Sequence, residues 1–323
     1  MIVTITPNPS LDRTYELGTL VPGEVNRATH DRLDPGGKGV NVSRALTAAG
    51  HRTSAVLPLG GLSGQLLADL LRRQGIDVAA VAIAGDTRIN VSIAEDGGSL
   101  TKINAVGPEL SAAESAALLA LVRDVQKTGQ DVGQGTGNDV DWLACCGSLP
   151  RGLAPEWYAE VVAQVHSGGA RIALDTSGPA LLAALSARPD VVKPNREELA
   201  EAVGRPVLTI ADAVDAAEEL RERGAQQVLA SIGADGMLLI AGEGRWYGRA
   251  PVAAVRSDVG AGDASLAGFL GAGGTGPEAL AAALAHGAAA VQLPGSVMPT
   301  PADLDPAAVV VTADLPLGRP LSG

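Results

Sequence analysis

Short apolar runs closed off by Gly, Pro or Asp alternate along this chain with Ala- and Leu-rich stretches of helical spacing. This alternation constrains the fold more than any other feature. Residues 2–6 (IVTIT), 53–60 (TSAVLPLG), 141–147 (DWLACCG), 171–178 (RIALDTSG), 190–195 (DVVKPN) and 227–233 (QVLASIG) read as buried strands. Between them, 39–49, 63–74, 111–127, 155–167, 179–186, 196–203 and 211–223 read as helices. Parallel strands need crossover connections, usually helical, so the pattern predicts an α/β fold with a largely parallel sheet covered on both faces.

A length of 323 residues suits one such domain with an appendage. Residues 14–33 and 81–104 supply the appendage, because their shorter alternation and the hairpin-like EDGGS predict a small antiparallel sheet, a lid. Residues 127–140 (KTGQDVGQGTGNDV) have no periodicity and read as a surface loop, with 128–139 resembling an insertion. The tail from about 312 carries no pattern, and there are no internal repeats.

Hydrophobic residues make up 46% of the chain and charged residues 19%, enough for a large core. A net charge of −12 disfavours nucleic acid or an anionic membrane as partner and confines any phosphate site to a local basic pocket. Cys145 and Cys146 are adjacent and have no second pair, which argues against a disulfide framework or structural zinc. Neither a basic leader nor a run of eighteen apolar residues is found, so the chain reads as cytoplasmic. His30, His51, His166 and His286 are scattered without metal-ligand spacing and read as structural or surface residues.

Ligands of open α/β sheets sit beyond the carboxyl ends of the strands, where the polar punctuation of this sequence falls. The stretch VGAGDASLAGFL (259–270) is the most telling. Gly260 and Gly262 let an anion approach backbone amides, and a helix starting near Asp263 favours negative charge at the same place. An acid there makes sense as the base for a hydroxyl attacking phosphorus; otherwise Asp263 caps the helix and the glycines turn the chain. A second cluster, DPGGKGVNVSRAL (34–46), sets Gly36, Gly37 and Gly39 around Lys38, with Asn41 a turn later. It lacks Walker spacing and suits a hydroxylated ligand.

TPNPSLDRTY (6–15), GGKGVNVSRAL (36–46), TRINV (87–91), CGSLP (146–150), DTSG (175–178), KPNREEL (193–199), SIGADG (231–236) and VGAGDASLAGF (259–269) together resemble the PfkB (ribokinase-like) sugar kinases, most of all their hexose-phosphate branch. The resemblance runs from residue 1 to about 300. It implies a single ribokinase-like domain over 1–323, a three-layer α/β/α sandwich with a small β lid.

The resemblance also implies roles. Asp263 matches the catalytic base, and Gly260, Ala261 and Gly262 the amide anion hole. Asp12, Gly37, Lys38 and Asn41 match the sugar pocket. Arg88 matches an arginine holding the phosphate already on the sugar, a task suited to a planar fork. Asn90, Ser148, Lys102 and Arg27 are further candidates there. Asn195 and Glu198 match an N-x-x-E element near Mg²⁺, acting through water, while Glu197 and Glu201 read as solvated. Lys193, Asn195, Ser231 and Gly233 fall where the family binds nucleotide. Asp258 competes with Asp263 as base, but only Asp263 directly follows the anion-hole amides.

The implied reaction is ATP- and Mg²⁺-dependent phosphorylation of D-fructose 1-phosphate at C6, with tagatose 6-phosphate or fructose 6-phosphate as alternative acceptors. A silent sugar-phosphate sensor is the alternative of another class. A dinucleotide oxidoreductase is disfavoured because no G-x-G-x-x-G follows the first strand. Free edges on an exposed lid suggest a homodimer in which the lids cover each other.

Overall fold

The computed structural model describes residues 1–127 and 140–322, so the insertion-like stretch at 128–139 lies outside the described residues. In chain order the elements are β1 (Ile2–Ile5), β2 (Ser10–Leu17), β3 (His30–Gly36), α1 (Lys38–Ala48), β4 (Thr53–Leu59), α2 (Gly61–Arg73), β5 (Asp77–Ala82), β6 (Arg88–Glu95), β7 (Leu100–Ile103) and α3 (Ala112–Lys127). There follow β8 (Trp142–Cys146), α4 (Trp157–Ser167), β9 (Arg171–Asp175), α5 (Gly178–Leu185), β10 (Val191–Val192), α6 (Arg196–Val203), α7 (Ile210–Glu222) and β11 (Gln227–Ser231). The chain continues with β12 (Met237–Ala241), β13 (Gly244–Arg249), α8 (Ala261–Gly271), α9 (Gly276–Ala290) and β14 (Val310–Thr312).

Among the described residues, ten strands form one sheet in the order β14-β13-β12-β11-β10-β9-β8-β1-β4-β5. From β5 to β11 every pairing is parallel, and the predicted strands all lie in this stretch. Beyond β11 the sheet turns antiparallel, an extension the alternating pattern did not predict because no α-helix separates β11, β12 and β13, only a single 3-10 turn at Gly233–Asp235.

Side chains sort to the two faces with the two-residue period of a strand. In β8, Leu143 and Cys145 join the core beneath α3, α4, α5 and α7, whereas Trp142, Ala144 and Cys146 join the core beneath α1, α8 and α9. Both faces are therefore covered, which explains why these strands are apolar throughout.

The second sheet has the order β3-β2-β6-β7, with β2–β3 and β6–β7 antiparallel and β2–β6 parallel. It spans more of the first segment than the pattern suggested, beginning at Ser10. Residues 81 and 82 belong instead to β5, at the edge of the large sheet. Leu11 ties the small sheet down by packing with Val40, Leu57, Leu67 and Leu71. The tail also differs from expectation, since residues 310–312 pair with β13 and residues beyond them dock on the protein.

Helices α8 and α9 meet through small residues. A methyl added at Gly268 would stand 2.7 Å from the carbonyl oxygen of Ala282 and 2.6 Å from His286 Nδ1. The backbone carbonyl cannot swing away, so the helices would have to separate. Gly268→Ala is expected to destabilise the fold by about 1–3 kcal/mol, despite the better helix propensity of alanine. Urea unfolding checks this, and an unchanged midpoint would mean that the helix pair yields freely.

Candidate active site

Because β1, β8, β9, β10 and β11 are parallel, their carboxyl ends deliver Asn8, Ser148, Asp175, Lys193 and Ser231 to one edge of the sheet. Helix α8 starts at the same edge. Its N-cap, Gly260, has φ of 81°, a conformation costly for side chains, and a Cβ there would lie 3.0 Å from Met298 Cε. Of the first-turn N–H groups that follow, that of Ala261 donates to the Asp258 carbonyl at 3.4 Å, and neither it nor that of Gly262 has a carbonyl a turn earlier within the helix, as at any helix start.

A charged cluster fills the space beside that helix end. Lys38, the first residue of α1, holds its ammonium 2.7 Å from Asp175 Oδ1 and 3.5 Å from Glu198 Oε1. Lys193 is buried and lies 2.9 Å from Asp175 Oδ2. Burial opposes the charge on all three groups, but their mutual attraction prevails. Both ammoniums are held above their ordinary range and the Asp175 carboxyl below its own. A Cβ at Gly262 would stand 3.3 Å from Lys193 Nζ, so this ammonium adjoins the first turn of α8.

Asp263 is also buried, and Asn41 Nδ2 donates to its Oδ2 at 2.9 Å. Burial, and then the charge of Asp175, push its pKa up to about 6, against the Asn41 hydrogen bond and the two lysines. The rival acid Asp258 has a side chain 85% exposed and lies 4.0 Å from Lys102 Nζ. Burial thus separates the two acids: Asp263 is buried at the helix end, and Asp258 is exposed.

On the small-sheet side, Asp12 Oδ1 accepts from Ser10 Oγ at 2.7 Å and from Asn90 Nδ2 at 2.9 Å. Its carboxylate lies against Gly36, where a Cβ would come within 2.3 Å of it. Gly37 is the N-cap of α1. Arg88 donates to the carbonyls of Asn8 (2.9 Å) and Ala105 (3.0 Å), and its Nε is buried without a partner. Burial lowers its pKa, countered by Asp12. Ser148 is exposed, 3.5 Å from Asn8 Nδ2. Arg27 is exposed outside the strands of the small sheet.

The N-x-x-E element is a capping box. Asn195 Oδ1 accepts from the Glu198 amide at 2.8 Å, and Glu198 Oε2 accepts from the Asn195 amide at 2.9 Å. Only Glu198 Oε1 is left facing the cluster. Ser231 forms a bridge with Asn195, and Gly233 opens the turn after β11. Two participants went unassigned at the sequence level. Asp175 ends an apolar strand at the ligand edge, a signal available in DTSG. Arg44, whose Nη1 donates to Asn41 Oδ1 at 3.2 Å, carries no comparable signal.

A family model described as pfkB family carbohydrate kinase matches residues 6–303. The 1-phosphofructokinase of Rhodobacter capsulatus is 37% identical over 270 residues, 83% of this chain and 82% of that protein. The 1-phosphofructokinase of Haloferax volcanii is 40% identical over 273 residues, 84% of each. Among solved structures, phosphofructokinase-2 from Escherichia coli in complex with fructose-6-phosphate matches with a TM-score of 0.83 at 29% identity, covering 94% of this chain and 96% of that one.

The raised pKa of Asp263 has a consequence for stability. A carboxyl whose pKa is higher folded than unfolded favours the fold below pH 3.8 and loses that contribution as pH rises through about 6. Asp263→Asn, which keeps an acceptor for Asn41, is therefore expected to melt a few degrees above the parent at pH 8, with the difference vanishing near pH 4. Thermal melts at both values test this; a lower Tm for the variant at pH 8 would show that the lysines outweigh burial.

Proposed function

This chain belongs to the pfkB family of carbohydrate kinases, and we propose how its side chains perform that chemistry. It is a phosphotransferase with an alcohol acceptor, transferring the terminal phosphoryl group of ATP, with Mg²⁺, to the C6 hydroxyl of D-fructose 1-phosphate to give fructose 1,6-bisphosphate. The assignment of its side chains rests chiefly on one observation: a buried carboxylate of raised proton affinity, Asp263, in the first turn of α8 with a buried lysine alongside.

In this assignment Asp263 accepts the proton of the sugar hydroxyl as the oxygen attacks phosphorus. The amides of Gly260, Ala261 and Gly262 stabilise charge developing on the transferred group. Lys38 and Lys193 neutralise the polyphosphate. Asp12, Asn90, Gly37, Lys38 and Asn41 orient the sugar, and Arg88 takes its existing phosphate. Arg88 suits that role because, among the described residues, its guanidinium donates to two backbone carbonyls, while the Asp12 carboxylate acts on it through space. Ser148 completes the sugar-phosphate side. Ser231 and Gly233 contact the nucleotide. A cavity of about 350 Å³ lined by Ala250, Val252, Ala253, Ala288 and Ala289, with Gln292, Asp303 and Asp305 also on its wall, is a candidate place for the purine.

Among the described residues no group of three or more His, Cys, Asp or Glu is arranged to hold a metal ion. That fits Mg²⁺ carried on the nucleotide, which retains waters and needs only one or two carboxylates. Glu198 Oε1 is the oxygen suited to reach it through water, with Asn195 fixing the Glu198 side chain. When bound, the ion neutralises charge on the phosphate oxygens.

The molecule acts as one kinase domain in which the small sheet closes over the sugar and excludes water. Exposed Ile89, Leu100 and Ile103 on that sheet support a homodimer formed through the lids. Buried free Cys145 and Cys146, with no helix among the described residues able to cross a membrane, support a cytoplasmic setting. A 6-phosphofructokinase reading is kept because of the Escherichia coli structure.

Turnover with ATP and Mg²⁺ across fructose 1-phosphate, fructose 6-phosphate and tagatose 6-phosphate should give the highest kcat/KM for fructose 1-phosphate; preference for a 6-phosphate would reverse the sugar in the pocket. Asp263→Asn should lower kcat by about 10³-fold with sugar binding retained, and the acid limb of parent kcat/KM should fall near pH 6. Arg88→Ala should raise KM for the sugar phosphate about 10–100-fold, the loss of a charged hydrogen-bonding partner. An unchanged KM would remove Arg88 from the phosphate site.

A further inference from the structure

The family match ends at residue 303, yet the chain beyond it returns to the edge of the sheet where the nucleotide residues lie. Leu315 and Leu321 pack on the main core. The carbonyls of Leu317 and Arg319 accept from the amides of Ala211 and Ile210, each at 3.0 Å, and the Leu321 amide donates to the Leu208 carbonyl at 2.8 Å. The tail is thereby fixed along the start of α7.

Its last residues converge on the turn after β11. Asp235 closes that turn, two residues past Gly233, and is buried. Arg319 Nη2 donates to Asp235 Oδ1 at 3.0 Å, and the Ser322 amide donates to Oδ2 at 2.5 Å. Arg319 Nη1 also donates to Tyr247 Oη at 3.2 Å, and that hydroxyl donates to the Asp235 carbonyl at 2.7 Å. The Ser322 carbonyl accepts from Arg196 Nη1 at 2.5 Å, on the residue following Asn195. One segment thus joins the Gly233 turn to the first turn of α6, which carries the Asn195–Glu198 box.

We infer that residues 313–322 are a clasp that sets the nucleotide-binding turn, with Asp235 and Arg319 as its latch and both acting as positioning residues for ATP. The inference rests on the assignment of Ser231 and Gly233 to the nucleotide. Without the clasp, the buried Asp235 carboxylate loses both hydrogen bonds and must seek water, which moves the turn beneath Gly233. Among the described residues, the tail's hydrogen bonds go to the start of α6, the start of α7, Asp235 and Tyr247, and not to Asp12, Asn41 or Arg88, so the sugar side is expected to be left alone.

The test compares the full chain with Arg319→Ala, Arg319→Lys and a truncation after Thr312, measuring KM for ATP-Mg²⁺ and for fructose 1-phosphate separately. Arg319→Ala is expected to raise KM for ATP about five- to tenfold and leave the sugar KM within twofold. Arg319→Lys should recover most of the loss, and the truncation should exceed Arg319→Ala. Should the truncated chain fail to fold, the two point variants decide. An equal rise in both KM values, or a lowered Tm with KM for ATP unchanged, overturns the clasp. Calorimetric titration of the parent with ATP separates the two levels: a parent that binds no ATP sinks the nucleotide assignment and the clasp with it, whereas normal parent binding that Arg319→Ala leaves unaltered sinks the clasp alone.

Discussion

The ion cluster of Lys38, Asp175 and Lys193 is the interaction on which the site depends. Asp175 is 1% exposed, and a lone carboxylate there would protonate or destabilise the fold. Two ammoniums, one from α1 and one from the end of β10, make its burial tolerable and are themselves held in place by it. Three elements distant in sequence are thereby tied at the carboxyl edge of the sheet. Within this trio two ammoniums face one carboxylate, a local surplus of positive charge in a chain of net charge −12, at the place where the proposal seats a polyphosphate.

Rigid packing beneath the cluster serves the same end. Asp263 lies on α8, whose close approach to α9 is set by Gly268 and by Gly287, where a Cβ would meet Ser265 Oγ at 2.3 Å. The proposed role of Asp263 as base requires it to stay within a fraction of an ångström of its target. A helix locked by backbone-close packing holds position better than a loop. The low aromatic content, 2%, is part of this design, since Ala- and Gly-faced helices can approach where rings could not.

Much of this could be read from sequence because parallel α/β units announce themselves twice, by buried strands and by the turns after them. Lys38, Asn41 and Asp263 were legible from the glycine clusters that open α1 and α8, and Lys193 through the family resemblance. The antiparallel extension was not, because β12 and β13 form a hairpin with no helix between, and three residues of β14 make no pattern. Asp175 was visible in position but not in role, which depends on two lysines that only folding brings to it. The Asn195–Glu198 spacing has two meanings, a capping box and a metal-facing pair, and the structure realises the first while leaving Glu198 Oε1 toward the cluster. The tail is opaque because its order comes from Asp235 and the start of α7, not from its own sequence.

The electrostatics of the cluster also explain why one acid is raised and its neighbour lowered. Asp175 is in ion-pair contact with both lysines, whereas Asp263 feels them at longer range and accepts its side-chain hydrogen bond from Asn41. Burial acts against both carboxylates and Asp263 also faces the Asp175 charge, so distance from the lysines and closeness to Asp175 together decide the sign. An anion bound between the lysines opposes their pull on Asp263 and raises its proton affinity further. Within the proposed roles, a phosphoryl donor seated between the lysines would act on Asp263 in this way, and the Mg²⁺ accompanying it would counter the rise.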